Sequence, residues 1–259
     1  MALAQNKIVV ITGASRGIGR GCAIEFAKHQ AAGLVLHYYG DADTTAEIES
    51  LKAELESPTT KVVAVPGDIA DPETANKIVK AAVDAFGRID ALVSNAGICP
   101  FSDFLTMPLG TWERTRQVNL DGTFYITQAV GNQMKNQQPQ GGTIVGVSSI
   151  SAFFGGEQQC HYTPTKAAIL SLMQSCAVAL GKYNIRCNAV CPGTIATDIN
   201  KDDLSDVEKK TYMEKRTCLG RLGAPEDLAG PVVFLSSDMA KYVTGASLLV
   251  DGGLAVNLQ

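Results

Sequence analysis

Short apolar runs that alternate with helical patterns limit what this chain can fold into. Residues 7–11 (Lys-Ile-Val-Val-Ile), 34–38, 61–66, 91–94, 143–148, 185–190 and 248–250 read as strands, and the first has the unbroken apolarity of a buried parallel strand. Between them lie helical patterns. One carries Ile18, Cys22, Ala23, Phe26 and Ala27; a second, over 44–56, carries Ile48, Leu51 and Leu55; a third opens at Asp71-Pro72 and runs to Phe86. A stretch from about Met107 to Met134 breaks near Asn119, Tyr162 heads a helix to about Leu180, and Pro225 opens the last. Such alternation predicts an α/β fold, a doubly wound parallel sheet with helices on both faces. No linker, low-complexity tract or repeat interrupts it, and 46% apolar content is ample for one large core, so residues 1–259 are read as a single domain.

Composition removes several function classes. Charged residues make up 19%, the net charge is -4 and no basic block occurs, so neither nucleic acid nor an anionic membrane is an expected partner. No apolar run approaches ~18 residues, and the start, Met-Ala-Leu-Ala-Gln-Asn-Lys, is too short before the first strand for a signal peptide. The cysteines (Cys22, Cys99, Cys160, Cys176, Cys187, Cys191 and Cys218) are odd in number and form no Cys-x-x-Cys, which fits reduced thiols in a cytoplasmic protein. With His29, His37 and His161 as the only histidines, no metal centre is expected.

The first strand ends at Thr12-Gly13, and Gly13-Ala-Ser-Arg-Gly17-Ile-Gly19 leads straight into a helix. A strand, a glycine turn and a helix let the backbone approach a pyrophosphate at the helix N-terminus, which makes the sheet Rossmann-type. The spacing is Gly-x-x-x-Gly-x-Gly, and no Gly-Lys-Ser/Thr follows to make a P-loop. Ligands of such sheets bind beyond the carboxyl ends of the strands, where the strand order reverses. Those ends carry Gly13–Gly19, Tyr38, Asp68, Asn95–Gly97, Ser148-Ser149 and Pro192–Thr197.

Tyr162 and Lys166, four residues apart, share a helix face. A free tyrosine has a pKa near ~10, and lowering it by roughly 2 to 3 units needs about 3 to 4 kcal/mol in favour of the phenolate. A unit positive charge about 5 Å away, at an effective dielectric of about 20, supplies roughly 3 kcal/mol. Lys166 is therefore expected to make Tyr162 nearly competent as a base, with a cationic nicotinamide ring supplying more.

Taken in order, Thr12-Gly-Ala-Ser-Arg-Gly-Ile-Gly19, Asp68, Asn95-Ala-Gly97, Asn119, Ser149, Tyr162, Lys166 and Pro192-Gly193 resemble the short-chain dehydrogenase/reductase family over nearly the whole chain. The resemblance implies that Tyr162 exchanges a proton with the substrate oxygen, Ser149 hydrogen-bonds that oxygen, and Lys166 holds the cofactor ribose. Asn119 would hold a water in a proton relay. Gly13, Ser15, Arg16, Gly17, Ile18 and Gly19 would cradle the pyrophosphate end. Tyr38, Asp68 and Ile69 would border the adenosine, Asn95, Ala96 and Gly97 the ribose, and Pro192, Gly193, Ile195 and Thr197 the nicotinamide. NADP is the expected cofactor, with NAD the alternative: Arg16 is placed to meet a 2'-phosphate, whereas Asp41 folding back onto the ribose would reverse the choice. A homotetramer is implied, pairing the helices at about Met107–Met134 and Tyr162–Leu180.

A closer likeness within the family is to the L-rhamnose 1-dehydrogenases. It rests on Asn95-Ala-Gly-Ile-Cys-Pro-Phe101, Ser148-Ser-Ile-Ser-Ala152, His161-Tyr-Thr-Pro-Thr-Lys166, Ser171–Cys176, Ile185–Val190, Pro192–Asn200 and Asn257-Leu-Gln259. It implies oxidation of a sugar C1 hydroxyl to a lactone. Ser149, Ser151, Gln159, Tyr162 and Thr194 are the candidate sugar-binding residues, Phe153-Phe154 a candidate wall for a methyl group, and residues 200–217 a candidate lid. The alternatives are a ketone or 3-oxoacyl reductase of the same fold and a non-catalytic cofactor-binding protein. A serine hydrolase is excluded, because no histidine follows His161 to complete the usual Ser-Asp-His order.

Overall fold

The computed structural model describes residues 2–201 and 203–257. Met1, Asp202 of the expected lid, and Leu258 and Gln259 of the carboxyl-terminal match lie outside the described residues. The strands are β1 (Ile8–Ile11), β2 (Gly33–Tyr38), β3 (Lys61–Pro66), β4 (Ala91–Ser94), β5 (Gly142–Val147), β6 (Ile185–Pro192) and β7 (Ser247–Val250). They form one sheet in the order β3-β2-β1-β4-β5-β6-β7, with every pairing parallel. Each expected strand is present. The order reverses between β1 and β4, whose turns therefore face the crevice where a ligand can sit.

Helices α1 (Gly17–Lys28), α2 (Ala42–Leu55) and α8 (Pro225–Ser236) cover one face, burying Phe26, Ile48, Leu51 and Val232 against it. The other face carries α3 (Pro72–Phe86), α5 (Gly122–Asn136) and α6 (Thr163–Leu180), with Ile78, Ile126, Met134 and Met173 inside. Local signals explain the starts. Asp41 caps α2 by accepting from the Thr44 amide, and Asp71 caps α3 by accepting from Glu73, with Pro72 in the first turn. Among the described residues, no helix is long and apolar enough to cross a membrane.

One expectation is corrected. The stretch from about Met107 to Met134 does not break at Asn119. Helix α4 (Leu109–Arg116) runs through a π-helical turn, Gln117–Asp121, into α5. The wider turn absorbs the residues that read as a break, and the Thr123 hydroxyl donates to the Asn119 carbonyl at 2.7 Å within it. The lid segment forms short 3-10 turns at Asp198–Asn200 and Asp203–Ser205, then α7 (Val207–Arg216), none of whose residues is buried.

Gly19 shows how tightly the first turn is packed: a Cβ there would lie 2.2 Å from the Gly13 carbonyl oxygen. Backbone cannot yield as a side chain does. Gly19→Ala is therefore expected to cost roughly 1 to 3 kcal/mol and to lower Tm by several degrees, read in a thermal melt; an unchanged Tm would show that α1 tolerates displacement.

Candidate active site

Two connected cavities, of about 640 and about 520 Å³, lie beyond the carboxyl ends of the central strands and share Ile18, Asn95, Gly97, Cys99, Thr197 and Ile199 in their walls. The larger is built around the first glycine turn. Arg16 precedes α1 in extended conformation, no side chain caps that helix, and no acidic residue lies in its first turn. The first-turn amides are thus left for an anion. Gly13 and Gly17 have φ of +63 and +55, and a Cβ on Gly13 would stand 3.0 Å from Ala96 Cα. The Thr12 hydroxyl accepts from the Asn95 and Ala96 amides at 2.9 and 3.0 Å, and Asn95 Nδ2 donates to the carbonyls of Thr12 and Gly13 at 3.0 Å each. These bonds fasten the β1 turn to the β4 turn, and the cradle they form fits a dinucleotide.

The smaller cavity holds the reactive side chains. Ser149, just past β5, opens a 3-10 turn, and its Oγ accepts from the Ser151 amide at 3.0 Å. Tyr162 is the residue before α6, and Lys166 is one turn in. Lys166 is buried; its Nζ donates to the Val147 carbonyl at 2.9 Å and lies 5.4 Å from the centre of the Tyr162 ring. The Ser148 hydroxyl donates to the Lys166 carbonyl at 2.7 Å. A Cβ on Gly97 would sit 3.3 Å from Asn119 Oδ1 and 3.6 Å from Lys166 Nζ, so the turn after β4, the π turn after α4 and the first turn of α6 converge on one point. Asn119 is wholly buried. Its Oδ1 accepts from Ile98 N at 2.8 Å, and its Nδ2 donates to Ile98 O and Thr165 Oγ1 at 2.9 and 3.1 Å.

The electrostatics differ from the expectation that Lys166 nearly suffices to acidify Tyr162. Burial, above all, pushes the Tyr162 phenol above its ordinary value, and the hydrogen bond to Ser149 only partly offsets this. Burial also lowers Lys166 to about 8. The simple Coulomb argument left out the desolvation of both partners, which is the largest cause of each shift.

Comparison with known proteins agrees with this geometry. The family model described as enoyl-(acyl carrier protein) reductase matches residues 13–255. The L-rhamnose 1-dehydrogenase (NAD(P)(+)) of Sphingomonas sp. (strain SKA58) is 59% identical over 100% of both chains, and that of Azotobacter vinelandii 58% identical over 98% of each. A crystal structure of a short-chain type dehydrogenase/reductase from Mycobacterium marinum superposes with a TM-score of 0.89 at 31% identity, covering 97% of this chain and 96% of that one. The chain belongs to the short-chain dehydrogenase/reductase family.

The candidate residues line the two cavities, with the exceptions of Gly19, Asn119 and Phe153. Gly19 and Asn119 line neither cavity: Gly19 serves close packing, and Asn119 lies one layer behind Gly97 and Ile98. Ser151, Gln159 and Thr194 do line the smaller cavity, with Gln159 Nε2 3.4 Å from Cys99 Sγ. Phe154 lines it but Phe153 does not. Arg16 sits in the wall of the larger cavity between two carboxylates, 3.5 Å from Glu47 and 3.6 Å from Asp198. Asp41 also lines the larger cavity; its Oδ1 accepts from the Thr44 amide at 2.8 Å.

Sequence reasoning missed several supporting residues, among them Thr12, Cys99, Arg114 and Thr165, and above all His37. Its Nε2 lies 2.9 Å from the Gly67 carbonyl and must donate, which leaves Nδ1 to accept from the Gly13 amide at 3.3 Å. Its own carbonyl accepts from Ala14 N at 2.9 Å. Burial lowers its pKa to about 4, so the ring is neutral and this tautomer is held near neutral pH. A lone histidine in an apolar strand gave no sign of this. His37→Leu is expected to leave two polar groups unpaired, at roughly 1 to 3 kcal/mol each, and to weaken dinucleotide binding about tenfold. Fluorescence titration with NADPH tests this; unchanged affinity would show that the glycine turn holds its shape unaided.

Proposed function

We propose that the protein oxidises the C1 hydroxyl of a ring-form aldose, L-rhamnose or a close analogue, to the lactone. The observation that carries this reading is the convergence of Ser149, Tyr162 and Lys166 at the wall of one cavity, in a chain 59% identical end to end to an L-rhamnose 1-dehydrogenase. Ser151, Gln159 and Thr194 offer hydroxyl and amide groups to a polyol, and Phe154 offers an apolar surface to a 6-deoxy methyl. The bound dinucleotide supplies a hydride acceptor, and no metal is needed. Ser149 holds the C1 oxygen and Tyr162 takes its proton. Lys166, pinned by Val147, orients the ribose and contributes positive charge beside the phenol. Asn119 Oδ1 lies behind Gly97, close to the same point as Lys166 Nζ, so the relay water that the family resemblance implies would have to reach it past that glycine. Because the unassisted phenol is held above its ordinary value, removal of its proton becomes easier as pH rises, so the oxidation rate rises with pH above neutrality.

The acyl-carrier alternative is less well supported. It calls for free basic surface near the cavity, yet Arg114 pairs with Asp68 at 2.8 Å and Arg116 pairs with Asp121. Exposed Phe104, Leu105, Leu109 and Phe124 near α4 and α5 support the homotetramer as the assembly. Residues 200–217 act as the lid, since Asp203, Lys209, Met213 and Arg216 face the smaller cavity.

A screen of aldoses with both cofactors tests the substrate. L-Rhamnose is expected to reduce the dinucleotide; no activity on any deoxyhexose or aldohexose removes the sugar reading. In the same assay Tyr162→Phe should lower turnover by roughly 10²- to 10⁴-fold with the fold intact, and Lys166→Met should also weaken cofactor binding.

NADP is the preferred cofactor in this reading and NAD is accepted. Arg16 lines the adenosine end of the larger cavity, where a 2'-phosphate would compete with Glu47 and Asp198 for its guanidinium, and Asp41 of the same cavity caps α2 through one oxygen. Arg16→Ala is expected to raise the Michaelis constant for NADP about tenfold, the loss of a charge-assisted contact, and that for NAD by less than twofold. Equal changes for both would place Arg16 outside the 2'-phosphate site.

A further inference from the structure

Three residues from separate segments meet over the mouth of the smaller cavity without a part in the chemistry above. Asp203 stands in the 3-10 turn before α7, Lys209 in the first half of α7, and Phe101 in the segment that follows β4. All three line the cavity. Asp203 and Lys209 form an ion pair, and Lys209 Nζ lies 5.7 Å from the centre of the Phe101 ring. The Asp203 side chain is 19% exposed, unusually enclosed for a surface aspartate. Burial, with Asp203 as the smallest contribution, pushes the Cys99 thiol in the wall of the same cavity up to about 11. Both arms are braced. The Phe101 arm is held through Ser102 N donating to Gln158 O and Gln158 Nε2 to Asp103 Oδ1, at 3.1 Å each. The far end of α7 is held by Asn257 Nδ2 donating to Arg216 O at 2.7 Å.

A carboxylate beside an ammonium suits one kind of neutral ligand group particularly well. Two neighbouring hydroxyls on a pyranose can donate to the one and accept from the other at once, while an apolar ring face rests on an aromatic side chain. The C1 end of the sugar is assigned to Ser149 and Tyr162, which leaves the hydroxyls on the opposite edge of the ring for the lid.

We propose that the Asp203–Lys209 pair, backed by Phe101, reads a vicinal diol on the edge of the sugar away from C1 and is the specificity-determining element of the substrate site. The inference rests on the sugar reading above. It assigns selectivity to the lid, whereas the groups at Ser149, Ser151 and Gln159 orient the reacting end. A substrate without that diol gains nothing from the pair.

The test compares the intact protein with Asp203→Asn, Lys209→Met and the double variant, using L-rhamnose and its 3-deoxy and 4-deoxy analogues with NADP. Each single change is expected to raise the Michaelis constant for L-rhamnose about tenfold. The double change should add little more, because the two residues act as one unit. With at least one deoxy analogue the unaltered protein should already be weakened, and the variants should match it. Lys209→Arg, which keeps the charge, should restore most of the affinity for L-rhamnose. Equal losses on intact and deoxy sugars would make the pair a mere latch for α7 and overturn the proposal, as would unchanged Michaelis constants. If the unaltered protein oxidises no aldose, the sugar reading falls and this one with it. If it oxidises L-rhamnose and the variants behave alike, this one alone falls.

Discussion

The buried ammonium of Lys166 is the fixed point of the site. It donates to the Val147 carbonyl at the end of β5, and the Ser148 hydroxyl returns a bond to the Lys166 carbonyl. These two bonds tie the first turn of α6 to the strand that delivers Ser149. Tyr162, immediately before that helix, can then approach Ser149 in only one way. A buried cation without a partner would be costly, so the helix cannot slide along the sheet without losing the interaction that makes Lys166 tolerable there. The same residue therefore secures the architecture and charges the cleft.

That arrangement has an electrostatic consequence. Desolvation raises the Tyr162 phenol and lowers Lys166 to about 8, so near neutral pH the lysine stays mostly charged while the phenol keeps its proton. In a cleft of this kind the tyrosine keeps its proton until further positive charge arrives beside it. The oxidised dinucleotide carries such charge, which links base activation to cofactor occupancy and disfavours proton loss in its absence. Gly97 makes the approach possible: with no side chain there, Asn119 Oδ1 and Lys166 Nζ both come within 4 Å of where its Cβ would be.

Much of this was legible in the sequence, because the strands are short and apolar and some helix starts carry a capping signal. Asp41 and Asp71-Pro72 are the clearest cases. The candidate catalytic residues were legible as an ordered set across the chain. The rest was hidden for physical reasons. Helix periodicity carries no mark of a π turn, so the passage through Asn119 read as a break. Gly19 looked like a ligand residue because glycine serves close packing and ligand approach equally well. His37 was invisible because its partners, the Gly13 amide and the Gly67 carbonyl, are backbone groups brought to it only by the β1-β2-β3 pairing. The balance of desolvation against attraction at Tyr162 depends on burial, which spacing does not report.

The two halves of the cleft are held with unequal strength. The dinucleotide side is framed by strand turns locked through Thr12, Asn95 and His37, each bonded to backbone. The smaller cavity is bordered by α7, which buries none of its own residues. An element without an apolar anchor gains little by sitting in one place, so its opening free energy lies at the low end of the range for the chain. What holds it is polar and local: Asn257 on Arg216, Asp203 on Lys209 and Lys209 over Phe101. Such contacts are worth little in water and more once solvent is excluded. A ligand that displaced water from that cavity would strengthen the contacts that hold α7 above it. The two cavities are thus framed by elements held with different strength, strand turns on one side and a polar-anchored helix on the other.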